Sequence, residues 1–186
     1  MLYYFCMDNK KFKTNDLAYV GLSVALLAVC SWISIPLTVP ITLQTLGICL
    51  VSGLFGLKRG IVATTIYILL GALGVPVFSH FTGGIGVIAG ATGGYIIGFV
   101  FTSVIIGFAA DKWQDKLWAL IIAMVLGILV CYAFGTGWFA LVYASKSKAA
   151  GLLAILTTCV FPFIPFDIAK IAVAALLVNR LRRFIK

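Results

Sequence analysis

Apolar residues in this chain come in long uninterrupted runs. Residues 17–35, 41–57, 60–110, 117–145 and 149–166 contain no Asp, Glu, Lys or Arg. A helix rises about 1.5 Å per residue, so about 20 apolar residues cross a ~30 Å hydrocarbon core. The 51-residue run from Gly60 to Ala110 therefore holds two spans and a connection. An outer-membrane barrel would alternate in segments of ~10 residues, and these runs do not. The pattern predicts an all-α integral membrane protein, a single membrane domain over 1–186. Its spans fall at about 17–35, 41–57, 60–75, 93–110, 117–144 and 165–183. Asn15 or Asp16 is placed to cap the first helix, and Pro36 ends it. Pro165 suits the first turn of the last one. A further short helix at or in the membrane surface is expected within 145–161. The first run is long for a signal peptide and no A-x-A-like site follows it, so it is read as a retained span.

Composition agrees: 63% of residues are apolar and 10% charged, too few charges to cover a soluble domain. The net charge of +9 is distributed unevenly. With the N-terminus inside, eleven basic residues fall in inner segments, among them Lys58, Arg59, Lys112, Lys116, Arg180, Arg182 and Arg183, whereas the outer connections hold only Lys146 and Lys148. The positive-inside rule then places both termini in the cytoplasm. It accounts for the basic balance without nucleic acid as a partner. The five cysteines form no C-x-x-C pair, and four lie inside apolar runs, where they read as small core residues.

The connections differ in character. The inner ones, Lys58-Arg59 and 111–116, are short and charged; the outer ones, 36–40, 74–92 and 145–164, are apolar and rich in Gly and Pro. The 74–92 stretch has five glycines in 19 residues and the chain's one histidine. Irregular backbone at membrane depth persists only where it packs in protein or lines a cavity. A ligand pocket is therefore expected on the outer side.

Asp167 and Lys170 are the strongest chemical signal. Three residues apart, they share one helix face and can pair. A charge at bilayer depth costs at least ~2.5–3.5 kcal/mol on insertion scales. Two readings stand: an ion pair tying the last helix to its neighbours, or a pair that binds a polar solute group. Thr42 and Gln44 are hydrogen-bonding side chains at the outer start of the second span. They suit either interhelical bonding or the pocket. Thr92 and Tyr95 lie in the stretch 90–99, whose glycines allow tight helix packing or a ligand against the backbone. Trp138 and Tyr143, near the outer end of the fifth helix, are interface anchors or stacking partners. Ala18, Gly21, Ala25 and Ala28 make a small-residue stripe on the first helix, for packing within the protein or against a partner.

Enzymatic readings find little support. The chain has one histidine, no glutamate, and no G-x-S-x-G, H-E-x-x-H or paired acidic motif. It also lacks G-x-x-x-x-G-K-[ST], so it has no visible means of using ATP. No catalytic residue, metal or cofactor is expected.

The stretches V-P-I-T-L-Q-T-L at 39–46, G-A-L-G-V-P-V-F at 71–78, G-G at 83–84, G-A-T-G-G-Y-I-I-G-F at 90–99 and P-F-I-P-F-D-I-A-K at 162–170 resemble the BioY family. Its members are the biotin-specific substrate-binding (S) components of energy-coupling-factor (ECF) vitamin transporters. One departure is Ala91, where the family's motif carries proline. The resemblance implies six membrane helices with a biotin pocket near the outer surface, lined and covered by the outer loops. It implies Asp167, Lys170 and Gln44 as ligand contacts; Thr42, Tyr95, Tyr143 and Thr92 are further candidates by their place in the sequence. It also implies a membrane scaffold protein and two ATPase subunits as partners, docking on Ala18, Gly21 and Ala25. An S component for a different vitamin, a small membrane enzyme and a purely structural helper are the alternatives.

Overall fold

The computed structural model describes residues 14–36, 39–113, 116–144, 157 and 159–185. The elements in chain order are α1 (Thr14–Trp32), β1 (Ser34–Ile35), β2 (Ile41–Thr42) and α2 (Gln44–Ala72), followed by α3 (Ile85–Ala89), α4 (Gly93–Lys112), α5 (Leu117–Ala144) and α6 (Ile164–Ile185). A 3-10 turn, Ser79–Phe81, precedes α3. The two short strands pair antiparallel, Ser34 with Thr42 and Ile35 with Ile41. The expected second span therefore starts as extended chain at 41 and becomes helical at Gln44. The expected helix within 145–161 lies largely outside the described residues.

The 29 residues of α2 are two helices folded back on each other. At Gly56 the backbone leaves the helical region, with φ 76° and ψ −169°, a conformation open to glycine and strained for other residues. A straight helix would hold Gln44 and Tyr67 about 35 Å apart, yet Gln44 Nε2 donates to Tyr67 Oη at 2.6 Å. Residues 44–55 and 57–72 are thus antiparallel arms, and the six expected helices are all present. The sequence expectation split them at Lys58-Arg59 because charge marks a membrane exit. The chain reverses two residues earlier, where glycine permits it.

The turn is held by polar groups at that end of the bundle. Asp111 Oδ2, from the end of α4, accepts from Leu57 N at 3.0 Å and so satisfies a free N–H of the second arm. Arg182 of α6 donates to the carbonyls of Gly53, at 2.7 Å, and Ala110. Arg59 pairs with Asp16 at 2.5 Å, which uses Asp16 as a tether for α1 within its first turn. Lys58, Arg59, Lys112, Arg182 and Arg183 all lie toward this end, called here the basic end.

Among the described residues, α1, α2, α4 and α5 are long and apolar enough to cross a membrane. The charges Asp167, Lys170 and Arg180 keep α6 off that count. The outer surface is apolar: Leu126, Leu129, Phe134, Leu141, Val173 and Leu176 are all exposed. In water such a surface would drive association; in lipid it is solvated. The interior instead collects small polar side chains, as membrane helix interfaces do. Ser52 and Ser103 bond at 2.8 Å between α2 and α4, and Thr102 Oγ1 donates to Gly127 O at 2.8 Å between α4 and α5. A side chain at Gly107 would strike the backbone of Leu57, so this close approach requires glycine. The chain is a multi-pass membrane protein.

Candidate functional site

A pocket opens at the end of the bundle opposite the Gly56 turn. Val39, Val87, Ile96, Phe99 and Phe163 supply apolar wall, while Thr42, Gln44, Thr45, Thr92, Tyr95, Tyr132, Asp167 and Lys170 supply polar groups. Segments that meet here include the strand pair before α2, the turns after it, the start of α4 and the first turns of α6.

Pro165 lies in the first turn of α6, where its missing N–H costs nothing. The helix that follows carries Asp167 and Lys170 on one face, inward, at 3% and 7% exposure. Lys170 Nζ donates to Asp167 Oδ1 at 2.8 Å. Thr45 Oγ1, from the first turn of α2, donates to the same oxygen at 2.9 Å and accepts from Lys170 Nζ at 3.2 Å. Tyr132 of α5 donates its hydroxyl proton to Asp167 Oδ2. Three helices thus converge on one carboxylate. An ionised carboxylate has about four acceptor places and an ammonium three protons. Among the described residues, three of the former and two of the latter are filled, which leaves one acceptor place and one donor for a solute at the pocket. That residual pair matches a neighbouring N–H and C=O on a solute.

Gln44, 6% exposed, lines the pocket one residue before the charge pair's Thr45 contact. Its backbone N–H donates to Thr42 Oγ1 at 3.3 Å, so Thr42 keeps a hydroxyl proton for another partner. Tyr95 Oη donates to Cys159 O at 3.0 Å, and its ring stacks on Phe163 with centroids 6.5 Å apart. Tyr95 therefore shapes the wall more than it offers a free polar group. Thr92, at the N-terminus of α4, reaches the pocket without capping the helix.

The segments over the pocket are pinned to α1. Ser31 donates to Val77 O, and Trp32 Nε1 donates to Pro76 O at 2.9 Å. Trp32 also stacks on Phe81, centroids 4.9 Å apart. His80 and Phe81 both adopt φ of 56°, and such strain persists only where surrounding contacts impose it.

The structure therefore brings together Asp167, Lys170, Gln44, Thr42, Tyr95 and Thr92, as the sequence suggested. Tyr143 lies in the last turn of α5, and its side chain falls outside the described residues. Trp138 does not line the pocket: its Nε1 donates to Gly90 O at 2.9 Å, which ties the turn before α4 to α5. Ala18, Gly21 and Ala25 are exposed on α1, whereas Ala28 is buried. The stripe thus continues outward only over its first two turns. Sequence reasoning missed Thr45 and Tyr132. Thr45 stood inside a recognised motif, one residue past Gln44. Tyr132 sits amid apolar residues, and its only signal was general: a buried tyrosine hydroxyl needs a partner.

Known proteins resemble this chain along most of its length. Residues 7–186 match the model of the BioY family. The chain is 38% identical over 170 residues to a Thermotoga maritima protein named biotin transporter BioY, covering 91% of this chain and 96% of that one. It is also 38% identical over 172 residues to a probable biotin transporter BioY of Pyrococcus horikoshii, covering 91% and 98%. A crystal structure of the S-component for biotin from an ECF-type ABC transporter superposes with a TM-score of 0.81 at 28% identity, covering 93% of this chain and 95% of that one. By matched length, shared motifs and common fold, this chain belongs to the BioY family.

Proposed function

We propose that this chain is the substrate-binding membrane subunit of a biotin uptake transporter, and that it captures biotin at the pocket end from outside the cell. The observation that carries the reading is the buried Asp167–Lys170 pair, held from three helices with one acceptor place and one donor left unfilled by the described residues. Biotin's ureido ring offers an N–H beside a carbonyl, which meets that pair edge-on. Its thioether ring and tail are apolar and suit Phe163, Phe99 and Val39. Gln44, Thr42, Tyr95 and Thr92 complete the proposed contacts, and Tyr143 remains a candidate by its place on α5.

The same reading supplies partners. The chain carries no nucleotide motif, so energy comes from an ECF module of one membrane scaffold protein and two ATPases. Ala18, Gly21 and Ala25 present a smooth exposed strip on α1 for the scaffold. The basic end faces the cytoplasm, with both termini there. The protein binds and moves its ligand unchanged, with no resident cofactor. Binding of labelled biotin to the purified protein in detergent tests this: saturable retention, competed by unlabelled biotin and not by other vitamins, is the expected result. Retention of another vitamin in its place would overturn it.

A further inference from the structure

Gln44 can face a ligand in two ways, since a half-turn of its amide exchanges an acceptor for a donor. Its neighbours decide which. Tyr67 Oη lies 2.9 Å from Val77 O, and a carbonyl only accepts. Ser31 Oγ reaches the same carbonyl, which has two lone pairs, so the single Tyr67 hydroxyl proton is spent within this Val77–Ser31 cluster. Toward Gln44, at 2.6 Å, Tyr67 can only accept, so the Gln44 atom facing it must be the NH2. The Gln44 carbonyl oxygen is turned the other way, and none of the described residues donates to it. Tyr67 itself is 1% exposed and does not line the pocket.

We infer that Tyr67 is a positioning residue that locks Gln44 as a hydrogen-bond acceptor, so that the pocket demands a second N–H on its ligand. The polar pattern of the site then reads acceptor (Asp167), donor (Lys170), acceptor (Gln44). A cyclic urea, with a carbonyl between two N–H groups, complements that pattern. A cyclic carbamate, which keeps the carbonyl but replaces one N–H by a ring oxygen, does not. The anchor of the relay is the backbone carbonyl of Val77, a residue that does not itself line the pocket. The inference rests on the biotin reading and deepens it.

The test compares labelled biotin with the two cyclic-carbamate analogues, each lacking a different N–H at nearly unchanged size. The unaltered protein should bind both analogues at least tenfold more weakly than biotin, because a buried acceptor left unpaired is costly. In Tyr67→Phe the ring remains to pack edge-on against Phe78, 5.6 Å away, while Gln44 is free to turn and donate. The penalty should then shrink at least threefold for one analogue and stay unchanged for the other, which lacks the N–H facing Asp167. Trp32→Phe, which removes only the bond to Pro76 O and leaves Tyr67 on Val77 O, should alter neither penalty. A structural role alone would lower the melting temperature and leave both ratios in place, and that result overturns the inference. So does an analogue that binds the unaltered protein as tightly as biotin, a measurement that needs no variant. Failure to retain biotin at all sinks the biotin reading itself and is told apart by the same first assay.

Discussion

Tyr132 on α5 donates its hydroxyl proton to Asp167 Oδ2 on α6, so the carboxylate that faces the pocket is steered by a residue from a different helix. With Thr45 bonded to the other oxygen, the Asp167–Lys170 pair has three helices for its frame. A buried ion pair is a weak source of stability. Its cost is easier to understand where the pair also meets a ligand.

The first prediction separates those roles. Asp167→Asn keeps the shape and removes the charge, leaving Lys170 without its counter-ion. A purely structural pair would lose ~3–5 kcal/mol of stability. A binding pair leaves a protein that elutes as a single species in detergent while biotin affinity falls by at least ~1.4 kcal/mol, or tenfold. Lys170→Met should behave likewise. Equal affinity in both well-folded variants would remove the pair from the site.

Tyr132→Phe deletes one donor to a buried carboxylate, a change worth about 1–3 kcal/mol. The expected outcome is weaker biotin binding by roughly that amount, because Asp167 is freed to turn from its binding orientation. Isothermal calorimetry reads the change. A variant that binds biotin as the parent does would show that Thr45 and Lys170 alone orient the carboxylate.

Gly56→Ala probes the far end of the bundle. Its Cβ would lie 2.0 Å from Asp111 Oδ1, at a φ of 76°. The strained backbone costs of order 1–3 kcal/mol, before any displacement of Asp111. A lower melting temperature with an unchanged biotin dissociation constant is expected, since the turn and the pocket occupy opposite ends. Loss of affinity at unchanged melting temperature would contradict that separation.

Topology is checked by cysteines introduced at Lys11 and at Thr82 on a background freed of native cysteine. An impermeant thiol reagent should reach only the second from outside intact cells. Labelling of both from outside would refute the topology drawn from the basic residues.

The α1 strip is tested by bulk. Ala18, Gly21 or Ala25 replaced by leucine should weaken copurification with the scaffold protein, while biotin binding by the isolated chain is kept. No atom lies within 4 Å of a Cβ built at Gly21, so the substitution is accommodated within this chain. A parallel fall in biotin affinity would place the strip on the wrong surface.

Six apolar spans, a polar pair inside one of them and a one-sided charge distribution were legible in the sequence, because the bilayer imposes length, hydropathy and charge rules residue by residue. Those rules determined the class, the number of helices and the placing of Asp167, Lys170 and Gln44 at one end. Contacts between distant residues follow no local rule, and the tertiary structure alone decided them. It moved the reversal to Gly56, set Thr45 and Tyr132 around Asp167, and assigned Trp138 to a loop carbonyl. It also joined Gln44 to Tyr67, 23 positions apart, across a hairpin. A hydroxyl in an apolar run announces that it needs a partner; which partner it finds depends on how the helices pack.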